Sequence, residues 1–379
     1  MQEPRYPAAR EIAPVIESHF ASVLAAASPI EGERVAAPPT REDIEALVDA
    51  AFWASLRREE NLLPRISLAL VPREEAVQPL LFATPLPLAP VALVRVAPAV
   101  ERRGIHLGVA RAGTRLQVWG TTRVVPSYGL ILEVAGPGLL VIKHHRGDGG
   151  KYVNVAVLEA DRILLIDDGA LKTPDCPAVI GSLLGTELAP RPGRAPTGVL
   201  VELAVSMRAH GRGGMMLVVP AGSTAWRESI VQPMAYAVDP VYSGLAELVR
   251  RAPRERHSRE WQDEMEDAVA AVAGLTAVDG ATIVDDRYNL LAFGAKISRR
   301  DGCPLVEQTA ITEPIVGGES RILHPSRLGG TRHLSAAQFV HDQRDALALV
   351  ASQDGRFTVF SWSPCEQMVH GRRVETLLL

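Results

Sequence analysis

Two short clusters in the last third of the chain carry residue types that chemistry can use. Asp279-Gly280-Ala281 sets a carboxylate beside two minimal side chains, just before the apolar run Thr282-Ile283-Val284. Further on, Gly329-Gly330-Thr331-Arg332-His333 is a glycine-led turn with a hydroxyl, a guanidinium and an imidazole, followed by a helical pattern. A carboxylate can hold a divalent cation. A glycine turn that opens a helix presents backbone N–H groups to an anion. Together the clusters predict a metal–nucleotide site. Taken singly, each has a plainer reading: Asp-Gly is a common turn dipeptide, and Thr331-Arg332-His333 also fits a helix start followed by solvated polar residues.

The surrounding pattern predicts the elements that would position these residues. Beyond residue 198 it alternates, with helices over 199–210, 243–251, 258–275 and 332–340. Strands interleave at 215–219, 281–284, 290–293, 347–351 and 357–362. That alternation predicts an α/β domain over 199–379 with a mixed central sheet. The N-terminal part differs. Two amphipathic segments, 10–27 and 40–58, come first, and the second opens on Thr40, Glu42 and Asp43 as a helix start does. Short apolar runs broken by Gly and Pro then predict strands at 66–71, 91–96, 105–109, 116–119, 130–134, 139–142, 153–157 and 163–166. Residues 144–150 predict a hairpin tip. The expected organisation is a β-rich domain with flanking helices over 1–168, a connecting segment over 169–198 with a proline-rich linker at 187–198, and the α/β domain.

Composition narrows the function classes. With 379 residues, 47% of them hydrophobic and 22% charged, the chain can build more than one core. A net charge of −4 gives no reason to expect a nucleic-acid polymer as partner. Cys176, Cys303 and Cys365 are scattered with no CxxC pair, which fits a reducing compartment rather than a zinc ribbon or disulfide framework. The charged N-terminus reads as no signal peptide, and no apolar run is long enough to span a bilayer, so a cytoplasmic protein without membrane attachment is expected.

Other candidates carry less. His210-Gly211-Arg212-Gly213-Gly214 precedes a strand, whereas dinucleotide loops follow one, so it reads as a turn. His144-His145 lacks a third spaced metal ligand. His341-Asp342 reads as a surface pair, Lys296, Arg299 and Arg300 as a solvated run, and Trp53 and Trp119 as core.

The order Asp279-Gly280-Ala281, then Gly330-Thr331-Arg332-His333 with Ser335, Ala336 and Ala337 behind it, resembles the diadenylate cyclase (DAC, or DisA-N) domain. The stretch Ala348-Leu349-Val350-Ala351-Ser352-Gln353-Asp354-Gly355 resembles that family's strand ending in Ser-Glu-Glu before a glycine, and the resemblance spans roughly residues 195–365. In the N-terminal half, Phe52-Trp53, Pro85-Leu86-Pro87-Leu88 and Trp119-Gly120 are similar to the probable sensor domain DACNV.

The resemblance implies that two ATP molecules are joined into cyclic di-AMP with release of two pyrophosphates, each protomer of a homodimer or larger homo-oligomer holding one ATP. It implies that Asp279 helps place Mg²⁺ or Mn²⁺, with Asp354 near the second acidic position. Gly280 and Ala281 would let the nucleotide approach the backbone, and Gly330, Thr331, Arg332 and His333 would hold phosphates. The N-terminal domain would answer a small-molecule or protein signal. The chain departs from the family at Leu334, where an arginine is usual, at Gln353, where a carboxylate is usual, and at Val278, where some members carry a metal-binding histidine. Those departures leave an alternative: a cyclase-like regulatory module that binds ATP or a cyclic dinucleotide without turnover.

Overall fold

The computed structural model describes residues 5–27, 34–58, 62–76, 79–102, 104–145, 152–167, 176–183, 198–251 and 258–379. The chain divides into two units, Met1–Ile166 with Leu379, and Asp167–Leu378.

The first unit starts with helices α1 (Pro7–Ala26) and α2 (Arg41–Ser55). Thr40 caps α2, its Oγ1 accepting from the Asp43 N–H at 3.3 Å, with Glu42 and Asp43 in the first turn where the helix dipole favours them. The chain continues through β1 (Ile66–Leu70), β2 (Leu80–Pro87), helix α3 (Pro90–Val96), β3 (His106–Ala112) and β4 (Arg115–Thr122). It ends in β5 (Leu130–Gly136), β6 (Leu139–His145), β7 (Tyr152–Glu159) and β8 (Arg162–Leu165). These strands form one sheet in the order β2-β4-β3-β1-β5-β6-β7-β8, with only β1 and β3 parallel among the pairings. Ile12, Ile16 and Phe20 of α1 and Ile44, Leu47 and Ala51 of α2 pack onto Leu68, Leu107, Leu132 and Leu140 of the sheet.

The second unit holds α4 (Ala178–Leu183), α5 (Gly198–Ala209), β9 (Gly214–Val219), β10 (Tyr236–Tyr242), α6 (Gly244–Arg250) and α7 (Arg259–Leu275). It continues through β11 (Ala281–Asp285), β12 (Leu290–Ala295), β13 (Thr309–Thr312), β14 (Arg321–Leu323), α8 (Thr331–Asp342), β15 (Leu347–Ala351), β16 (Phe357–Ser363) and β17 (Met368–Arg373). The mixed sheet runs β10-β12-β11-β9-β15-β16-β17-β13-β14. Strands β9 and β11 are parallel, and β15 lies antiparallel to β9. All three are almost wholly buried, as central strands covered on both faces must be. In α7 the buried positions Met265, Ala268, Val269, Val272 and Ala273 follow the helical period and seat the helix by one face.

Several expectations change. The run at 91–96 is helix α3, not a strand: Pro90 takes its first turn, where a missing N–H costs nothing, and Leu93 and Val94 face the core. Strands β2 and β10 were hidden because Pro85, Pro87 and Pro240 argue against a strand. Both lie at sheet edges, where proline is tolerated. Within the expected connecting segment 169–198, α4 packs on α5 and buries Val179 and Ile180. Residues 187–197 of the expected linker lie outside the described residues, as do residues 146–150 of the hairpin tip expected at 144–150, although β6 and β7 on either side pair antiparallel, His145 against Tyr152. No helix among the described residues is long and apolar enough to cross a membrane.

Candidate functional site

Strand directions in the second unit bring three connections to one end of the sheet. Parallel β9 and β11 both begin there, and antiparallel β15 ends there, with Ala351 opposite Gly214. The α5–β9 loop (210–213), the α7–β11 connection (276–280) and the β15–β16 turn (352–356) are therefore neighbours. Side chains tie them together. His210 Nε2 meets Thr276 Oγ1 at 3.1 Å while its Nδ1 accepts from the Arg212 N–H at 3.1 Å, which assigns the neutral Nε2–H tautomer. Burial, with Arg212 nearby, lowers the affinity of that imidazole for a proton. Gln353 Nε2 donates to the Arg212 carbonyl at 3.3 Å, and Arg208 Nε to that of Gly355 at 3.0 Å.

The N-terminus of α8 joins this group. Gly330 is its N-cap, no side chain caps the helix, and its first turn carries no acid. It is an uncapped positive helix end. Arg332 reaches back over the loops: its Nη1 lies 2.9 Å from where a Cβ on Gly213 would project, beside the Ala351 carbonyl and Gln353. Any larger residue at 213 would displace the guanidinium.

Asp279 stands at the start of β11 with its side chain 88% exposed. Lys296, just past the end of β12, places Nζ 2.5 Å from Asp279 Oδ2. Lys296 foremost, and Arg332 in addition, hold the Asp279 carboxyl below its usual range. The sequence-predicted carboxylate and guanidinium thus lie within electrostatic reach of each other. Gly280 has φ +121, and a Cβ on it would sit 2.4 Å from the Gly294 carbonyl carbon, so the residue must be glycine. Ala281 is buried in the β11–β12 ladder opposite Ala295. Beside this corner the exposed Tyr236 ring stacks on Phe293 at 4.9 Å, next to Val278 and Gly294.

Two expected members have other partners. His333 turns inward, 3% exposed, edge-on to Phe360 at 6.0 Å. Burial first, then the charge of Arg373, lowers its pKa to about 4, so near neutrality it is an uncharged core imidazole. The sequence held the signal: His333, Ala336, Ala337 and Val340 recur with the helical period and are all buried. Asp354 is exposed and paired with Arg356 at 3.4 Å.

Lys296 is exposed just past the end of β12, as expected of that run, and there it pairs with Asp279. The expectation for one polar pair changes. His341-Asp342 is no surface pair: Asp342 is buried and accepts from Gln338 Nε2, the Arg300 N–H and His341 Nδ1, each at 2.9 Å. Arg212, Gln353 and Lys296 were not placed in the site by sequence, and the cluster of three glycines around Arg212 was the one hint of the first.

Among the described residues no group of three His, Cys, Asp or Glu side chains could hold a metal on its own. One exposed carboxylate offers a divalent ion a single protein ligand and leaves the rest of its shell to other oxygens. Two cavities, of about 520 and 490 Å³, open at the other end of the sheet around Val219, Pro220, Arg344 and Asp345 and contain none of the motif residues. At the motif corner the side chains of Asp279, Lys296 and Tyr236 are exposed.

Fold and site together define a two-unit chain: a strand-rich unit with flanking helices, and an α/β unit whose loops gather one carboxylate, two cations and a bare helix N-terminus. Residues 33–123, within the strand-rich unit, match the family model of the probable sensor domain DACNV, a domain that in general goes with diadenylate cyclases. No curated protein matches the chain.

Proposed function

We propose that the Asp167–Leu378 unit is a diadenylate cyclase that joins two ATP into cyclic di-AMP and two pyrophosphates, with the DACNV segment as its sensor. The observation that carries this reading is that Arg332, seated over the 210–213 loop, and Asp279, in the neighbouring 276–280 connection, lie at one end of the sheet with the α8 N-terminus. The DACNV match supports it independently.

The corner suits a triphosphate. Arg332 offers a forked donor of permanent charge, and the uncapped amides of α8 add partial positive charge. Gly280, without a Cβ, lets a sugar or phosphate come close to the backbone. Tyr236 and Phe293 offer an aromatic face for a base. Asp279 would hold Mg²⁺ or Mn²⁺ together with the phosphates, and the ion, when bound, supplies charge neutralisation at the reacting phosphorus. In each of two steps a 3′-hydroxyl oxygen bonds to the α-phosphorus of the other ATP, its proton is lost, and pyrophosphate leaves along the opposite direction. One corner would hold one ATP, so the reaction needs the same corner of a second copy.

Purified chain incubated with ATP and Mn²⁺ or Mg²⁺ is expected to yield cyclic di-AMP, resolved chromatographically. Asp279→Asn, nearly isosteric on an exposed side chain, is expected to keep the thermal melt and lower the rate by at least about a hundredfold, as loss of a transition-state charge partner does. Wild-type turnover by Asp279→Asn, or no cyclic dinucleotide under any metal, sinks the proposal.

A second reading is favoured by Lys296 on Asp279, together with Leu334 and Gln353, which each remove a charge from the family's pattern. In it the unit binds ATP or a cyclic dinucleotide and regulates without turnover. Calorimetric binding of ATP with no product selects it.

A further inference from the structure

We infer that Lys296 is a resident counter-cation of Asp279 that a divalent ion must displace, so that the metal enters with the triphosphate rather than ahead of it. The inference rests on the reading of Asp279 as the metal position of the proposed function.

The position of Lys296 is built into the sheet. Ala295 pairs with Ala281 across the β11–β12 ladder, which sets the next residue, Lys296, beside the Asp279-Gly280 turn. On its other side the Lys296 carbonyl accepts from the Val231 N–H at 2.8 Å, and the following residue, Ile297, bridges to Ile230. The backbone is held from both sides and only the side chain is free to move. With Nζ 2.5 Å from Oδ2, the ammonium stands where an incoming cation would bind the same oxygen. Arg332 adds a second positive charge near that carboxylate. Asp354, the other acid of the predicted metal set, carries its own cation, Arg356.

A bare divalent ion therefore approaches a carboxylate that already carries a counter-cation. A triphosphate changes the balance. Its oxygens compete for Lys296 and Arg332, and a lysine on a flexible stem can swing from carboxylate to phosphate within a few ångströms. That movement frees Asp279 as the metal–phosphate complex arrives. At 56% exposure Lys296 can leave Asp279 without breaking any core packing.

The experiment uses the full chain and Mn²⁺ without nucleotide, reading free Mn²⁺ by its electron paramagnetic resonance signal. Lys296→Met is expected to bind Mn²⁺ at least roughly threefold more tightly than wild type, a change in keeping with removal of one exposed ion pair. Lys296→Gln is expected to do the same, and adding Asp279→Asn to either variant is expected to abolish the gain. Thermal melts confirm that the variants fold. Unchanged or weaker Mn²⁺ binding in both single variants, or a gain that survives Asp279→Asn, overturns the inference. Tighter Mn²⁺ binding without cyclic dinucleotide from any variant sinks the cyclase reading and leaves the counter-cation role standing. Synthesis by wild type with Mn²⁺ affinity indifferent to position 296 does the reverse.

Discussion

Gly280 shows how little freedom the chain has at the start of β11. Its φ of +121 lies in a region that side chains avoid, and its α-carbon faces the Gly294 backbone so closely that a methyl group would overlap the carbonyl carbon at 2.4 Å. Gly280→Ala is therefore expected to cost about 2–4 kcal/mol, from backbone strain plus an overlap that rigid main chain cannot relieve. Gly302→Ala is the control: φ is +77, but a Cβ there has no neighbour within 4 Å, so only about 1 kcal/mol of strain is expected. Urea unfolding of both variants measures the difference, and equal losses would show that the Gly294 contact is not limiting. The same close approach brings Ala295, and with it Lys296, alongside Asp279. Asp279 and Arg332 were legible from residue type and order. Lys296 was not, because its partnership follows from the pairing of Ala281 with Ala295 rather than from proximity along the chain. His333 was misplaced because its type suggested phosphate while its helical phase, shared with Ala336, Ala337 and Val340, put it in the core.

At the scale of elements, α8 joins the two ends of the sheet. Its N-terminus lies at the motif corner, and its C-terminus is fixed by Asp342, whose buried carboxylate accepts from Gln338, His341 and the Arg300 main chain. Removing that carboxylate leaves buried donors without their acceptor, which costs more than the bonds themselves contribute. Asp342→Ala is expected to destabilise the unit by about 3 kcal/mol. Asp342→Asn, which keeps the shape and one acceptor, should lose less. Denaturant midpoints check the order, and an alanine variant as stable as wild type would show that the network is not holding the helix. The central strands β9, β11 and β15 were legible as unbroken apolar runs because both their faces are covered. The edges were not. Strands β2 and β10 carry prolines that would disqualify a central strand, and β17 places His370 and Arg372 in the interior, contrary to what polar residues suggest.

For the whole molecule, the proposed reaction makes a quantitative demand. A product with two linkages needs two nucleotides facing each other, and one corner holds one. Synthesis must then scale with the concentration of paired chains, not of chains. At enzyme concentrations below the dimer dissociation constant the rate is expected to rise with roughly the square of protein concentration, turning linear once pairing saturates. Mixing supplies the sharper test. A pair of one wild-type and one Asp279→Asn chain has one defective corner and cannot close the ring, so an excess of the variant should drive wild-type synthesis towards zero. Sedimentation velocity on the same samples locates the pairing range. A rate strictly linear through that range, and indifferent to excess Asp279→Asn, would mean that each chain completes its chemistry alone and that the shared-site reading is wrong.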